Sequence, residues 1–373
     1  MPCWRSRKTT AWACITCGDA DRDAGLAVIL AVDSPAVDPF TGPGTLEFIM
    51  AKTFKIGTRA SLMAVRQTED LIRALSLAFP EHTFEMVTRP AAADLDLKTR
   101  LGGMGGKGGA FITAMHDMML RGEADMVMHS LKDLPGNDEY YADTRFSIGA
   151  CLPRSDARDC MVLKQGMAVD AVPAVIGTAS VRRAAFLRRL FPGSQAVPFR
   201  GAADKRIQRM DDGVPMTFNY GGATPPVDAL LLAKNGLERI GLDGRISRVF
   251  SVEEMCPAVG QGVVVAEYAT GNDEARALLA AINHRETMFC YQAERALLKA
   301  LNGHCDSPIG AYAWLDGGKL KLRGIVIALD GRSAVEVYDE SEYADPLALG
   351  TRAGARLNAL GAQAIIEETR YVG

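Results

Sequence analysis

The window 181–210 concentrates positive charge in a chain whose overall charge is slightly negative. It contains eight basic residues against the single acid Asp204, and seven of the eight are arginine. Arginine presents a planar guanidinium that binds a carboxylate or a phosphate through two parallel hydrogen bonds. The window therefore predicts a site for a ligand that carries several anionic groups. Its basic residues are Arg182, Arg183, Arg188, Arg189, Arg200, Lys205, Arg206 and Arg209.

The positions of these arginines relative to the predicted strands narrow the prediction. Thr178-Ala179-Ser180 lies at a strand-to-helix junction just before two of them, and Arg200-Gly201 lies at the next such junction. Helix N-termini offer free N–H groups to anions, and open α/β sheets bind ligands at the carboxyl ends of their strands. We expect Arg188, Arg189 and Arg209 to form a solvated helix face. Anion binding is predicted for Arg182, Arg183, Arg200 and Arg206.

Polar residues also follow two predicted strands nearer the N-terminus. Thr58-Arg59-Ala60-Ser61 follows the first strand, and His129-Ser130-Leu131-Lys132-Asp133 follows a later one. An Asp beside a Lys is usually a surface pair, but in a cleft crowded with arginine it would stay ionised. Asp133 would then be the only negative charge able to face a cationic group of a substrate.

A glycine-rich stretch separates these two segments. Gly102–Gly109 contains six glycines around Met104 and Lys107. It lacks the Gly-Lys-Ser/Thr sequence of a phosphate-binding P-loop. A mobile flap over the cleft is therefore the better interpretation.

The elements that must position these residues alternate between strand and helix. Phe54–Thr58, Phe84–Thr88 and Asp125–His129 are predicted strands with helices between them, which favours a mostly parallel sheet. A second α/β stretch begins near Asp156, and within it we expect the Gly- and Pro-rich segment Asp211–Pro226 to be a surface loop. From about Asn283 a long helix precedes three consecutive strands and a last helix. The fold class predicted from these patterns is α/β, with two similar α/β domains and a smaller α+β domain.

The composition limits the possible classes of protein. The chain has 373 residues, a net charge of −3, 48% hydrophobic residues and 23% charged residues, which excludes a disordered or collagen-like chain. The slight acidity argues against coating nucleic acid through bulk charge, and no apolar run reaches the length of a membrane helix. Eight cysteines without repeated spacing favour a reducing, cytoplasmic setting over a disulfide scaffold.

Residues 1–50 differ from the rest of the chain because their hydrophobic residues show no sustained helix or strand periodicity. Cys14-x-x-Cys17 is half of a zinc pattern, but no second pair follows at a suitable spacing. We expect a disordered extension, or an upstream start with Met50 as the functional first residue.

Seven motifs in order identify a resemblance to the porphobilinogen deaminase family of tetrapyrrole biosynthesis. The motifs are Ile56-Gly57-Thr58-Arg59-Ala60-Ser61, Gly105-Gly106-Lys107-Gly108, His129-Ser130-Leu131-Lys132-Asp133-Leu134-Pro135, Gly177-Thr178-Ala179-Ser180-Val181-Arg182-Arg183, Arg200-Gly201, Ala258-Val259-Gly260-Gln261-Gly262 and Leu301-Asn302-Gly303-His304-Cys305-Asp306-Ser307-Pro308-Ile309-Gly310. Each motif alone is weak evidence for the resemblance, but seven motifs in the family's order are strong evidence.

The resemblance implies a fold of two periplasmic-binding-protein-like domains with a cleft between them and a smaller C-terminal domain with a cysteine loop. The expected domains are residues 51–152 plus about 261–282, residues 153–260, and residues 283–373. The implied transferase joins four porphobilinogen molecules head to tail, releases ammonia and yields linear hydroxymethylbilane for heme and other porphyrin synthesis. A cytoplasmic monomer is expected, with no metal and no nucleic-acid or membrane partner, that passes its product to uroporphyrinogen-III synthase.

The resemblance also implies roles for individual residues. Asp133 would be the catalytic group that binds pyrrole N–H groups, stabilises the cation left after deamination and shuttles protons. Cys305 matches the cysteine to which the family's dipyrromethane cofactor is attached, and the motif around it outweighs a merely structural interpretation of a lone cysteine. Lys107 belongs to the flap. The implied cofactor-binding residues are Ser130, Lys132, Ser180, Arg182, Arg183, Arg200, Arg206 and Gln261. The implied substrate-binding residues are Arg59, Ser61, Arg200, Arg206 and Arg239.

Some positions depart from the family's usual text, among them Ala60, Gly103, Ala202 and His304. None of these departures removes the aspartate, the arginines or the cysteine.

Two alternative functions stay open on the residues alone. One is a two-domain protein that binds an anion without catalysis, for which Cys305 would have no use. The other is nucleic-acid binding by the window 181–210, which lacks interleaved aromatic residues.

Overall fold

The computed structural model describes residues 50–99, 109–219, 221–303, 307–343 and 345–372. Thr53–Gly373 forms one compact unit. Three sets of predictions lie outside the described residues. They concern residues 1–49, the flap with Gly103 and Lys107, and the loop with His304 and Cys305.

Strands and helices alternate through the first two thirds of this unit, as the sequence predicts. The N-terminal elements are β1 (Thr53–Arg59), α1 (Leu62–Ala78), β2 (Thr83–Arg89), α2 (Ala92–Leu95), α3 (Gly109–Leu120), β3 (Met126–Ser130), α4 (Asp138–Ala142) and β4 (Phe146–Cys151). The middle elements are β5 (Asp159–Leu163), β6 (Val175–Gly177), α5 (Val181–Leu190), β7 (Gln195–Val197), α6 (Ala203–Asp211), β8 (Thr217–Phe218), β9 (Gly222–Ala223), β10 (Ala229–Ala233), α7 (Lys234–Arg239), β11 (Arg248–Val249), β12 (Val264–Ala269) and α8 (Asp273–Ile282).

The described C-terminal residues form three strands and three helices, and the described part of the chain also contains two short 3-10 turns nearer the N-terminus. These elements are α9 (Arg285–Ala300), β13 (Ile309–Asp316), β14 (Lys319–Ile327), β15 (Ala334–Glu342), α10 (Pro346–Ala359) and α11 (Ala362–Val372). The 3-10 turns are Leu131–Asp133 and Asp243–Arg245.

The first sheet has five strands in the order β2-β1-β3-β12-β4. β1 pairs in parallel with β2 and β3, while β12 runs antiparallel to β3 and β4. Phe54 and Ile56 alternate along β1 and enter a core with residues of α1, β3 and α8. Because β1 and β3 are parallel, the segments after Arg59 and Ser130 emerge at the same edge of the sheet.

The second sheet also has five strands, in the order β11-β5-β10-β6-β7. β6 is parallel to β10 and β7, and β5 is antiparallel to β10. The central strand β10 has the sequence Ala-Leu-Leu-Leu-Ala with four buried residues. A continuous apolar run of this kind is typical of a strand that is covered on both faces.

The third sheet is antiparallel, in the order β13-β14-β15. Its core includes Leu297 of α9, Leu322 of β14 and Leu357 of α10. The predicted mixed α/β class with a smaller α+β part at the C-terminal end is therefore confirmed. None of the described helices combines the length and the apolar character that crossing a bilayer requires.

The prediction of a surface loop over Asp211–Pro226 is wrong in its middle. Thr217–Phe218 and Gly222–Ala223 pair as a small antiparallel hairpin. Met216 and Phe218 are buried in the core beneath the second sheet, because the hairpin folds back over it. The abundance of Gly and Pro masked two apolar residues at strand spacing.

Candidate active-site cleft

A cleft of about 890 Å³ is lined by residues that follow strands of both five-stranded sheets. The first sheet contributes the segments after β1 and β3, and the second contributes those after β6, β7 and β10. This convergence matches the expected binding of ligands at the carboxyl ends of strands. The predicted site residues that line the cleft are Arg59, Ser61, Ser130, Lys132, Asp133, Ser180, Arg182, Arg183, Arg200, Arg206 and Gln261.

Asp133 projects into the cleft from the 3-10 turn that follows β3. Arg59 Nη1 donates to Asp133 Oδ2 at 3.4 Å. The same guanidinium donates from Nε to Asp94 Oδ2 at 3.0 Å and makes a second bond to the other oxygen of Asp94. Burial opposes the charge of Arg59, but Asp94 and Asp133 outweigh it and raise the pKa of Arg59. Asp133 therefore has one oxygen fixed by a cation while its side chain stays 28% exposed.

Lys132 lies beside Asp133 but turns toward Gln261, and its Nζ donates to Gln261 Oε1 at 3.5 Å. Burial, followed by the positive charge of Arg183, lowers the pKa of Lys132 to about 8. An anionic ligand beside Lys132 stabilises its charged form, because burial has removed the water that would otherwise do so.

Arg182 and Arg183 are both buried, and both bind Asp159 at the start of β5. Arg182 Nη2 lies 2.7 Å from Asp159 Oδ2, and Arg183 Nη2 lies 2.8 Å from Asp159 Oδ1. Burial raises the pKa of Asp159, but the two guanidinium groups outweigh it and hold that pKa below its usual value. One carboxylate thus faces two cations and leaves a net positive charge on the cleft wall.

Asp159 binds two arginines of the cleft wall, and the sequence did not indicate this role. The only local signal is an acid at the start of the apolar run Asp-Cys-Met-Val-Leu. A charge in such a place is rarely buried unless it is paired. This observation would have found the residue but not its partners.

Gln261 completes this network from a turn whose backbone favours glycine. Its Nε2 donates to Asp159 Oδ1 at 2.8 Å and its Oε1 accepts from Arg183 at 3.2 Å. Gly260 and Gly262, on either side, have φ angles of 71° and 87°, and a Cβ on Gly262 would lie 2.5 Å from the backbone oxygen of Ser155. Two glycines therefore let the chain fold tightly enough to bury Gln261.

Arg200 and Arg206 lie on the wall formed after β7. Arg200 donates from Nη1 to the backbone oxygen of Thr99. Burial, together with repulsion from Arg183, lowers the pKa of Arg206 to about 10, and its buried Nε has no hydrogen-bond partner among the described residues. Since buried polar groups are nearly always partnered, this atom marks a place for an anionic ligand.

The predicted serines have local structural partners. Ser61 and Ser180 are the N-caps of α1 and α5, where their side chains accept from Ala64 N and Arg183 N. Ser130 exchanges hydrogen bonds with Gln67 of α1 at 2.8 and 3.0 Å. Each serine lines the cleft while it fixes the start of a helix or the end of a strand.

Arg239 is not among the residues that line the cleft. Its Nε donates to Asp70 of α1 at 3.0 Å and its Nη2 donates to Ser155 at 3.1 Å. The structure therefore does not bring this residue together with the other predicted substrate-binding residues. Ser307, which directly follows the segment 304–306, does line the cleft.

The expected solvated helix face is also more structured than predicted. Arg188 Nη1 donates to the backbone oxygen of Leu329 at 2.7 Å, and Arg189 Nε donates to that of Gly331 at 2.9 Å. These bonds tie α5 to the turn between β14 and β15. Arg209 lines the rim of the cleft.

The chemistry of the cleft follows from its charges. Its wall carries more cationic than anionic groups, and several of these cations are withdrawn from water. Such a surface suits a ligand that carries several carboxylates. Asp94, Asp204 and Asp212 line the cleft as well as Asp133, so the prediction of a single negative charge there is wrong. Asp94 is bound by Arg59, and Asp133, at the carboxyl end of β3, is placed to meet cationic or N–H groups of the same ligand.

Comparison with known proteins gives a consistent result across the chain. Residues 54–277 match the family described as porphobilinogen deaminase, dipyromethane cofactor binding domain. Residues 288–359 match the family described as porphobilinogen deaminase, C-terminal domain. Together these matches cover most of the described chain.

Individual relatives agree with the family matches. The chain is 35% identical over 318 residues to a porphobilinogen deaminase of Alkaliphilus metalliredigens, covering 85% of this chain and 95% of that protein. It is 36% identical over 319 residues to that of a Roseiflexus species, covering 85% and 99%. Among solved structures, the methionine-binding protein MetQ gives a TM-score of 0.38 at 11% identity, covering 71% of this chain and 99% of that chain.

Proposed function

The chain belongs to the porphobilinogen deaminase family, and from that membership we propose which of its residues hold the reactants and move protons. The enzyme is a transferase that joins four porphobilinogen molecules head to tail, releases one ammonia for each and yields linear hydroxymethylbilane. The observation that supports the assignment of roles is Asp133, held by Arg59 in a cleft whose opposite wall is cationic. The alternative of a non-catalytic anion-binding protein gains no support from the comparisons.

The cationic wall fits the substrate's acidic side chains. Each pyrrole carries an acetate and a propionate, so the growing chain gains two carboxylates with every addition. Lys132 and Arg206 have lowered pKa values because of burial, and Arg206 keeps a buried N–H without a partner among the described residues. We assign carboxylate binding to these two residues and to Arg183 and Arg200.

The family's dipyrromethane cofactor supplies the primer to which pyrrole units are added. The residues proposed to hold it are the cations just named together with Ser130, Ser180, Arg182 and Gln261. Arg182 acts through Asp159, since its Nη2 donates to Asp159 while its Nη1 donates to the backbone oxygen of Cys256. Cys305 is the proposed attachment point, and Ser307, two residues further on, lines the cleft.

Asp133 is the proposed catalytic residue. Its free oxygen accepts hydrogen bonds from pyrrole N–H groups, and its charge stabilises the positive charge that develops as ammonia leaves. The amine needs a proton to leave as ammonia, and the new carbon–carbon bond releases one from the attacked ring carbon. One carboxyl group can therefore give a proton in the first step and regain one in the second. Arg59 keeps Asp133 in place between the two steps.

Residues 51–152 with about 261–282, residues 153–260 and residues 283–373 are the proposed domains, each built on one of the three sheets. We infer that the protein acts in the cytoplasm. We also infer that it is a monomer, because neither the substrate nor the cleft requires a second chain. A linear product with a reactive hydroxymethyl end requires an enzyme that closes the ring, and uroporphyrinogen-III synthase is the proposed recipient.

The proposed function is tested by incubating the protein with porphobilinogen and measuring ammonia and hydroxymethylbilane together. The expected ratio is four ammonia molecules for each hydroxymethylbilane released. Binding of porphobilinogen without ammonia release would contradict catalysis and would favour a carrier of pyrrole carboxylates.

A further inference from the structure

A second cavity, of about 1310 Å³, shares no lining residue with the cleft. It lies among α3, α4, β4 and α9. His116 and Glu267 line it, and His129 lies behind them against the same carboxylate. No step proposed for the condensation reaction uses these three side chains.

The three side chains point at one place from three different elements. His116 comes from α3, His129 from β3 and Glu267 from β12. Val127 is the residue paired with Glu267 in the antiparallel β3–β12 ladder, so His129 is the diagonal neighbour of Glu267 on the same face. The arrangement is therefore fixed by sheet register and helix packing and does not depend on a loop.

The distances match those between ligands of a metal ion. His116 Nε2 lies 3.0 Å from Glu267 Oε2, and His129 Nε2 lies 3.1 Å from the same oxygen. All three ligand atoms lie within 4.8 Å of one another. A tetrahedral zinc ion with bonds of about 2.0–2.1 Å places its ligand atoms roughly 3.3 Å apart. The two nitrogen–oxygen distances are close to that value. The two imidazole nitrogens lie within 4.8 Å of each other and would move closer together on binding the ion.

The hydrogen bonding of the cluster is incomplete without a further group. His116 Nε2 makes a hydrogen bond to Glu267 Oε2. His129 Nε2 is buried and has no hydrogen-bond partner among the described residues, although Glu267 Oε2 is near. Buried imidazole nitrogens rarely stay unpartnered, and a neutral imidazole nitrogen is a common metal ligand. Two imidazole nitrogens thus face one carboxylate oxygen, and a cation bound among the three atoms would give each of them a partner.

Neighbouring side chains orient the three proposed ligands, as hydrogen-bond partners of the ligands do in known metal sites. Tyr140 Oη donates to Glu267 Oε1 at 2.5 Å and leaves Oε2 to face the histidines. The ring of His116 stacks on Phe146, with centroids 3.8 Å apart. Glu267 is buried, and both histidines lie within 3.1 Å of its Oε2. The cluster thus presents a buried anion and two imidazoles to a cation.

We propose that His116, His129 and Glu267 form a binding site for a divalent transition metal of the zinc class. Two histidines and one glutamate leave a fourth coordination position free, as in zinc sites that keep a water. The second cavity provides the route of entry, since His116 and Glu267 border it. The ion ties α3 to β3 and β12, and β3 leads directly into the turn that carries Lys132 and Asp133.

The test titrates the chelator-treated full-length protein with Zn²⁺ by calorimetry and measures metal content after gel filtration. One zinc per chain and a higher denaturation midpoint are expected. The variant H116Q should lose more than about tenfold in affinity, and Y140F should weaken binding by about 10–100-fold as an outer-shell change. H82Q and H304Q are matched controls that change histidines outside the cluster and should bind zinc normally.

Cobalt provides a second readout, because Co²⁺ at a tetrahedral site has visible absorption that depends on its ligands. The bands should appear in the wild type, H82Q and H304Q, and should be lost in H116Q. Absence of stoichiometric zinc from the wild type would overturn the proposal. So would wild-type affinity in H116Q, or loss of binding in H304Q, which would assign the metal to the segment that contains His304 and Cys305.

Discussion

Arg59 Nη1 lies 3.4 Å from Asp133 Oδ2, so a cation at the end of β1 orients the acid that follows β3. Two more bonds from the same guanidinium hold Asp94. Arg59 is therefore anchored on one side and reaches Asp133 on the other. Asp133 is thereby oriented while its side chain stays accessible to substrate, which is the combination that the proposed chemistry needs.

The variant Asp133→Asn should keep the fold and nearly abolish turnover. An amide has the same shape but cannot exchange the proton, and loss of a general acid–base group lowers rates by about 10²–10⁴-fold. Initial rates of hydroxymethylbilane formation measure the effect. Asp138→Asn, which changes an exposed acid on α4, should leave the rate unchanged. Activity of Asp133→Asn within a few-fold of the wild type would remove Asp133 from the mechanism.

Asp159→Asn should destabilise the protein strongly. Asp159 is buried between two arginines, and removing one member of a buried ion network costs about 3–5 kcal/mol. The matched change Asp156→Asn affects a more exposed acid that pairs with Arg158 and Lys234, and it should cost less than Asp159→Asn. Urea unfolding at neutral pH compares the two variants. Equal unfolding midpoints would show that the buried network does not hold the cleft wall together.

The ion pairs of Asp159 should also make the free energy of unfolding depend on pH in the acid range. The folded-state pKa of Asp159 is lowered, so its contribution is complete above the ordinary carboxyl pKa. It is lost as the pH falls through the folded value. The difference in unfolding free energy between wild type and Asp159→Asn should therefore shrink on acidification.

Lys132 should react with amine reagents at a lower pH than the exposed lysines do. Its pKa is lowered to about 8, first by burial and then by Arg183, whereas the pKa of Lys319 is raised by Glu340. Peptide mapping of acetylated Cys305→Ala protein, expected to lack the cofactor, measures both residues across a pH series. Lys132 should label with a midpoint near pH 8. If the two lysines had the same pH profile, the pKa of Lys132 would not be lowered, and its proposed readiness to bind a carboxylate would be contradicted.

Arg206→Gln should separate stability from binding. The guanidinium is withdrawn from water, so its removal should leave the unliganded protein equally or more stable. Loss of a charged hydrogen bond of about 1.5–3 kcal/mol should raise the KM for porphobilinogen about tenfold to a hundredfold. Steady-state kinetics and urea unfolding measure the two effects. Arg276→Gln, on the exposed side of α8, is the control and should change neither. An unchanged KM in Arg206→Gln would exclude a role in binding.

The residues of the cleft were largely predictable, because local rules place them. Strand-to-helix junctions fix Ser180 and Arg200 at the carboxyl ends of strands, and parallel pairing brings Arg59 and Asp133 to one edge. Such placements depend on short-range order and on sheet topology. The predicted alternation of strands and helices therefore shows which residues follow the carboxyl ends of the strands.

The partners of these residues were not predictable, because they come from distant parts of the chain. Asp159 pairs with arginines more than twenty residues away, as the registry of β5 beside β10 dictates. Arg239 was expected on the substrate, but packing of α7 near α1 pairs it with Asp70. Met216 and Phe218 were assigned to a loop, since their burial depends on a hairpin that covers the second sheet. Each of these contacts is tertiary, and the local sequence does not identify the partner.

The most direct test of the account is the intact mass of the purified active enzyme. A protein heavier than its sequence by one dipyrromethane is predicted, and the extra mass should localise to the peptide that contains Cys305. Cys305→Ala should have the unmodified mass and no turnover, while Cys290→Ala, which changes a buried cysteine of α9, should keep the adduct. An active enzyme without the adduct, or an adduct that persists in Cys305→Ala, would contradict the account.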